Sequence, residues 1–214
     1  MKKISNINVI AEVGLAHEGS MTLAMSYIDR ISEAGADAVK FQTHIANSES
    51  TEFDKFRIKS KYVLDKNRLE YWQRTSFTKD QWKKLKNYSE KKGLLFMSSP
   101  FSLEAVEILN NLKIKAWKIG SGEVNNLPLI EKIAKTRKPV FLSSGMSTYD
   151  ELNKVLKVIK KCHKKIILMQ CASLYPCPPE KSGLGLITEF KKKFKLPIGY
   201  SDHTAQLGIQ FSAI

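Results

Sequence analysis

The sequence predicts an α/β fold of the TIM (β/α)8-barrel type, with about seven of the eight βα units present over residues 1–214. Three observations predict it. Seven short apolar runs each end in a polar or glycine-bearing cluster. Most clusters are followed by a stretch with helical apolar spacing, and such alternation implies a parallel sheet with right-handed crossovers. No G-x-G-x-x-G or G-x-x-x-x-G-K-[ST] follows the first run, which ranks the open doubly wound sheet lower. A parallel barrel gathers the C-terminal ends of its strands on one face. Residues scattered over the chain would then meet in one pocket, and polar residues at those ends read as chemistry.

The first strand is expected over Ile7 to Val13. A helix follows from Met21 to Ala34, with Leu23, Ala24, Tyr27, Ile28 and Ile31 on one face, and Gly35 ends it. Residues 38–41 read as strand two. Residues 45–77 then break the rhythm with a polar, charged stretch carrying Tyr62, Tyr71, Trp72 and Phe77, which reads as a substrate-covering loop. Thr78 and Gln81 form a capping-box pattern for a helix running to Lys92 and stopped by Gly93. Residues 94–97 are strand three. Ser102 caps the next helix, with Leu103, Val106 and Leu109 inward. Strands four, five, six and seven are expected at 116–119, 140–142, 166–169 and 198–200. The helices between them fall at 127–134, at 148–161 behind a second capping box from Thr148 to Glu151, and at 183–194. A last helix opens near Ala205. An eighth strand is not found, so the barrel reads as incomplete at its C-terminal end, and an unclosed barrel leaves sheet edges unpaired.

A chain of 214 residues, 43% hydrophobic, supports one sizeable core in a single domain. No apolar run reaches 18 residues, which excludes a helical membrane span. The N-terminus carries Lys2 and Lys3 but no apolar core of a signal peptide. Three cysteines, Cys162, Cys171 and Cys177, form no C-x-x-C pair, which fits a reduced, cytoplasmic setting and buried thiols. The net charge of +14 reads either as attraction for anions or as a solvated lysine-rich surface. The spread of the lysines along helices favours the surface. Runs such as Lys160-Lys161 and Lys191-Lys192-Lys193 fall where cations complement a helix C-terminus.

The strand-end clusters hold the candidate chemistry. Glu12 and Glu123, each near glycine, are candidates for proton transfer or for binding substrate hydroxyls, against a structural acceptor role. Lys40 and Lys118 follow apolar residues. A lysine in such a place needs an anion or a shifted pKa, so it reads as an anion-binding cation, a Schiff-base nucleophile or a snorkelling structural residue. Ser99, Ser121, Ser143, Ser173 and Ser201 occupy five successive clusters, and with Gly120, Gly122 and Gly145 they suit a multi-oxygen anion. Of the four histidines, His203 beside Asp202 is the best metal candidate, although no second ligand stands at a telling spacing. His17 and His44 sit in the first two clusters, and His163 lies in a basic helix tail.

Five ordered motifs carry a resemblance. They are Ile10-Ala11-Glu12-Val13-Gly14; Ala34-Gly35-Ala36-Asp37-Ala38-Val39-Lys40-Phe41-Gln42-Thr43; Lys118-Ile119-Gly120-Ser121-Gly122-Glu123 with Asn125-Asn126-Leu127-Pro128; Leu142-Ser143-Ser144-Gly145-Met146; and Gly199-Tyr200-Ser201-Asp202-His203-Thr204. Over nearly its whole length the chain resembles the N-terminal barrel of the sialic acid synthases, which include N-acetylneuraminate, legionaminate and pseudaminate synthases.

The resemblance implies condensation of phosphoenolpyruvate with an N-acyl hexosamine such as N-acetylmannosamine, giving a nine-carbon keto-sugar acid and inorganic phosphate. It implies a divalent metal, Mn2+ or Mg2+, as Lewis acid on the sugar aldehyde. By motif, Lys40, Ser99, Lys118, Ser121, Ser143 and Ser201 would hold the phosphate and carboxylate of phosphoenolpyruvate, with Ser173 and Tyr175 on the phosphate side. Gln42 and Glu12 would face the sugar or metal-bound water, Glu123 would be the acid/base group, and His203 one metal ligand. The partners implied are these two substrates, with neither nucleic acid nor membrane, and a homodimer in the full-length form. Ser173, Gln170 and Ala16 depart from residues common in the family: asparagine, histidine and asparagine. The family's second metal histidine with its neighbouring glutamate, a sugar-binding aspartate and the C-terminal antifreeze-like domain with its arginine are not in these 214 residues. A non-catalytic fragment or pseudoenzyme is therefore the alternative reading, and a lysine Schiff-base aldolase a remote third.

Overall fold

A computed structural model of the chain describes residues 7–56 and 63–214. Lys2, Lys3 and Tyr62 lie outside the described residues. The chain divides into two compact units, one ending at Lys115 and the other beginning at Ala116.

The first unit holds β1 (Ile10–Gly14), α1 (Met21–Glu33), β2 (Ala38–Thr43), α2 (Ala46–Glu49), α3 (Arg68–Thr75), α4 (Lys79–Lys91), β3 (Leu95–Pro100) and α5 (Leu103–Asn111). Its strands form one parallel sheet in the order β1-β2-β3. Ser20 starts α1 by accepting from the Leu23 N–H, and Ala24 and Ile28 are buried beneath it. Leu23 and Tyr27, expected on the buried face, lie at its exposed margin, as does Leu103 on α5. Ile7 and Val9 are exposed too, so the first strand begins at Ile10, where pairing to Ala38 starts. The Thr78–Gln81 capping box is present and opens α4. Trp82, from α4, packs edge-on against Phe41, Phe77 and Phe96, and this aromatic cluster is the unit's core. Each such buried ring contributes about 2–3 kcal/mol of transfer free energy.

The stretch expected as a loop at 45–77 contains two helices, α2 and α3, among its described residues. α3 has a proper start, since the Asn67 side chain accepts from the Glu70 N–H. Its only buried residue is Thr75, so it shows no apolar stripe to reveal it. β3 is longer than its apolar run. Ser98, Ser99 and Pro100 stay in register opposite Phe41, Gln42 and Thr43, because ladder pairing depends on the backbone and not on polarity.

The second unit holds β4 (Trp117–Ile119), α6 (Leu127–Lys135), β5 (Val140–Ser143), α7 (Tyr149–Lys160), β6 (Ile166–Cys171), α8 (Gly185–Phe194), β7 (Ile198–Ser201) and α9 (Leu207–Ser212). Its four strands are parallel in the order β4-β5-β6-β7. Leu142 and Leu168 of the sheet are fully buried, as are Leu129, Ile130 and Ile133 of α6 and Leu152, Val155 and Ile159 of α7. The helical residues recur at three- and four-residue spacing, as a one-faced helix requires. Thr148 and Glu151 make the second capping box. Lysines fill the last turns of α6, α7 and α8, where their charge opposes the helix dipole. Both units are therefore α/β with parallel sheets. No helix among the described residues is long and apolar enough to cross a membrane.

Candidate functional site

In the first unit Gln42 and Ser99 sit near the C-terminal end of the sheet, whereas Glu12 and Lys40, expected at strand ends, lie in mid-strand because β2 runs on to Thr43. Glu12 stands opposite Lys40 in the β1–β2 register, and their side chains form an ion pair. Lys40 is only 9% exposed, so the carboxylate supplies the anion that a buried ammonium needs. The register slips between Glu12 and Gly14, and Gly14 takes φ +56. Gln42 and Ser99 face one another across β2 and β3, and the Thr43 and Ser98 hydroxyls are 2.7 Å apart.

His17 and His44 are both buried in this unit. His17 is fully buried, stacks on Phe77 at 4.4 Å, and accepts the Gly19 N–H at Nδ1. Burial therefore holds its pKa down at about 4. His44 bonds to Glu49 and lies against Gln42.

The second unit gathers more of the expected residues. Lys118 is 7% exposed; its ammonium donates to the Ile119 carbonyl at 3.2 Å and contacts the Ser143 hydroxyl. A Cβ on Gly145 would lie 2.5 Å from the Ser173 hydroxyl and 2.6 Å from that of Ser121, so only glycine lets these two oxygens approach. The Ser173 oxygen is buried with no hydrogen-bond partner. Ser121 donates to the Cys171 sulfur at 3.7 Å, and Cys171 lies 3.9 Å from Nδ1 of His203. Ser201 ends β7 and is the register partner of Cys171. A buried ammonium, several hydroxyls and an unpartnered serine oxygen make a group suited to an anion with several oxygens.

The His203 imidazole is held from three sides. Nδ1 lies 2.7 Å from the Ala172 carbonyl and donates to it, and the Tyr175 ring covers it at 4.1 Å. Burial alone would lower its pKa, but the bonds to Cys171 and Ala172 win and raise it. For Cys171, burial works upward, while His203, Ser121 and the nearby Lys118 charge bring the thiol below its ordinary range. Asp202 fixes the loop: it accepts from Thr204 N–H at 2.9 Å, the Thr204 hydroxyl at 2.7 Å and Gln210 at 2.8 Å. Despite burial, these bonds hold its carboxyl at about 2. Burial and the neighbouring Asp202 push Tyr200 to about 12.

Two candidates are arranged differently. Glu123 lies in the one-turn 3-10 helix Ser121–Glu123 and accepts from Asn126 at 2.8 Å, at the start of α6. Tyr175 is 70% exposed, with its ring against His203. Gln170 is buried and satisfied, accepting from Ser144 at 3.1 Å and donating to the Ser182 carbonyl at 3.2 Å. The sequence suggests a buried thiol at Cys171. It is buried, yet it links Ser121 to His203, and its place inside a strand-end cluster was the available signal. Glu49 was missed because nothing in a polar segment marks it.

With Nδ1 committed to a carbonyl, the other ring nitrogen of His203 is the one left to ligate, the usual arrangement of a metal-binding histidine. Among the described residues no group of three or more His, Cys, Asp and Glu could hold a metal ion, so the chain's fit to a metal rests on this one nitrogen.

A family model described as the NeuB family matches residues 27–214. The chain is 38% identical over 211 residues to the N,N'-diacetyllegionaminic acid synthase of Campylobacter jejuni, covering 96% of this chain and 63% of that protein. It is 36% identical over 214 residues to the N-acetylneuraminate-9-phosphate synthase of Mus musculus, covering 96% of this chain and 58% of the relative. The chain thus spans less than two thirds of the length of these relatives. Among solved structures it is similar to a sialic acid synthetase from Leptospira borgpetersenii in complex with citrate, with a TM-score of 0.86, 30% identity, and coverage of 97% of this chain and 68% of that one. The match over 27–214 and the two relatives place the chain: it belongs to the NeuB family.

Proposed function

We propose that this chain carries the machinery of a sugar-acid synthase that condenses phosphoenolpyruvate with an N-acyl hexosamine. The observation that carries the reading is the Lys118–Ser143 pair beside Ser121, Ser173 and Gly145. It offers a buried cation and converging hydroxyls, as a phosphorylated acid requires. In the second unit Lys118, Ser121, Ser143 and Ser201 are assigned to phosphoenolpyruvate, with Ser173 and Tyr175 toward its phosphate. In the first unit Lys40 and Ser99 are assigned as anion ligands, and Glu12 and Gln42 to the sugar or a water. The names of the relatives support a sugar-acid product. The parallel sheet in each unit and the similarity to a sialic acid synthetase support the TIM-barrel architecture expected from the sequence.

The reaction forms one carbon–carbon bond, between C3 of phosphoenolpyruvate and the aldehyde carbon. The aldehyde oxygen takes a proton, water adds its oxygen to C2, and the C2–O bond to phosphate breaks. Glu123 is assigned the proton transfers; its bond to Asn126 orients the carboxylate. Bound at His203, a divalent ion, Mn2+ or Mg2+, would supply Lewis-acid polarisation of the aldehyde. The residues themselves bind, orient and exchange protons. The full-length protein is proposed to be a cytoplasmic homodimer.

Phosphoenolpyruvate labelled with 18O at the bridging oxygen tests the bond that breaks. Supplied with N-acetylmannosamine and Mn2+, the chain should release phosphate that keeps the label, beside a keto-sugar acid seen by mass spectrometry. Label left in the sugar acid would exclude the proposed cleavage. Absence of any product from folded protein would favour a non-catalytic, anion-binding member of the family.

A further inference from the structure

In the second unit one buried side chain joins two turns. Gln170 sits in β6 between Met169 and Cys171 and is 3% exposed. Neighbouring residues of a strand point to opposite faces. Cys171 reaches Ser121 and His203 on one face, while Gln170 reaches Ser144 and Ser182 on the other. The Gln170 amide lies 3.1 Å from the Ser144 hydroxyl and 3.2 Å from the Ser182 carbonyl, and both serines are buried as well. Backbone comes close on the Ser182 side: a Cβ on Gly183, which holds φ +69, would lie 2.7 Å from the amide nitrogen.

The partners fix which way the amide faces. A backbone carbonyl only accepts, so the NH2 group of Gln170 faces Ser182. The amide oxygen therefore faces Ser144, and the Ser144 hydroxyl donates its one proton to it. Ser143, one residue earlier, contacts Lys118 instead. Ser144 opens the turn that carries Gly145. Its N–H donates to the Met169 carbonyl at 3.0 Å, and its carbonyl accepts from the Ser147 N–H at 3.2 Å. Gly145 comes so near the Ser121 and Ser173 hydroxyls that a Cβ there would lie 2.6 Å and 2.5 Å from them. Whatever moves Ser144 moves Gly145 against both oxygens.

We propose that Gln170 is a positioning residue of the anion site. Anchored at Ser182 and bonded to Ser144, it sets the depth of the Gly145 turn, and with it the spacing at which the Ser121 and Ser173 hydroxyls meet an oxyanion. The inference rests on the reading of that group as a phosphoenolpyruvate site. Gln170 and Ser144 touch no ligand and act only through Gly145. A preset pair of donors binds more tightly than a pair that must be gathered, because the ordering is completed during folding. A fully satisfied buried network also resists displacement, since each lost bond leaves a desolvated polar group behind.

Gln170→Met keeps the length of the side chain and removes both hydrogen-bonding ends. Ser144→Ala removes the donor on one side only. Titrated with phosphoenolpyruvate alone in a calorimeter, each variant should bind about 10-fold more weakly than wild type, the worth of one hydrogen bond. The double variant should be no weaker than the weaker single, because the two residues act as one unit. Without any ligand, the Ser147 N–H should exchange with deuterium faster in both single variants than in wild type. A purely structural role would lower the thermal midpoint and leave the affinity unchanged at temperatures well below it, and that result would overturn the inference. Losses that multiply in the double variant would overturn it too, since Ser144 would then act on the ligand by itself. Wild-type chain that binds no phosphoenolpyruvate but shows the expected exchange pattern would overturn the anion reading and not the tether.

Discussion

At the scale of single residues, buried charge and buried imidazole give the sharpest expectations. Lys118→Met removes the ammonium while keeping the stem, so the Ser143 hydroxyl loses its charged partner. Hydrogen bonds to charged groups are worth about 1.5–3 kcal/mol, so the affinity for phosphoenolpyruvate should fall about 10- to 100-fold in a calorimetric titration. Equal affinity would remove Lys118 from the anion site. His17 gives a pH test. Its folded pKa of about 4 lies below the ordinary 6.5, so between those values the unfolded chain takes a proton that the folded one refuses. Its contribution to stability is intact above pH 6.5 and declines as pH falls to about 4, by about 1.4 kcal/mol per unit. Urea unfolding at pH 7 and pH 4.5 should show a smaller acid loss in His17→Phe than in wild type. Identical losses would contradict the buried, neutral ring.

At the scale of elements, two glycines mark where backbone must come close. Gly145 follows β5, and an added methyl would collide with the Ser121 and Ser173 hydroxyls and sit 3.0 Å from the Cys171 carbonyl. Gly145→Ala should therefore abolish anion binding while costing about 1–3 kcal/mol in stability, read by calorimetry and thermal unfolding. Unaltered binding would show that the two hydroxyls need not converge. Gly19, at φ +80, has its Cβ position against the Arg74 carbonyl, joining the turn after β1 to α3. Gly19→Ala adds a strained φ to a clash with backbone and should lower the thermal midpoint more than Gly35→Ala, whose Cβ position is open.

Much of this level was legible in the sequence. Both capping boxes and the Ser102 cap announce their helices, because a cap is a local device with a fixed spacing. The helices in 45–77 were not legible. α2 is a single short turn, and α3 buries Thr75 alone. Without an apolar stripe, periodicity carries no signal. Strand ends ran past their apolar runs for the same reason: Ser98 to Pro100 pair through backbone.

At the scale of the whole molecule, the alternation of strand and helix gave the parallel α/β class, and the ordered motifs led to the family. What sequence could not give was partnership. That Lys40 meets Glu12, that His203 meets Cys171, and that His44 meets Glu49 depends on register and on side-chain direction, which spacing alone does not fix. The proposal to be tested is the condensation of phosphoenolpyruvate with an N-acyl hexosamine to a sugar acid. The most direct measurement is phosphate release from phosphoenolpyruvate by the 214-residue chain, with and without N-acetylmannosamine, in Mn2+ and in EDTA. The account predicts release that needs the sugar and is abolished by EDTA. Release independent of the sugar, or none at all from folded chain across a panel of N-acyl hexosamines, would contradict it.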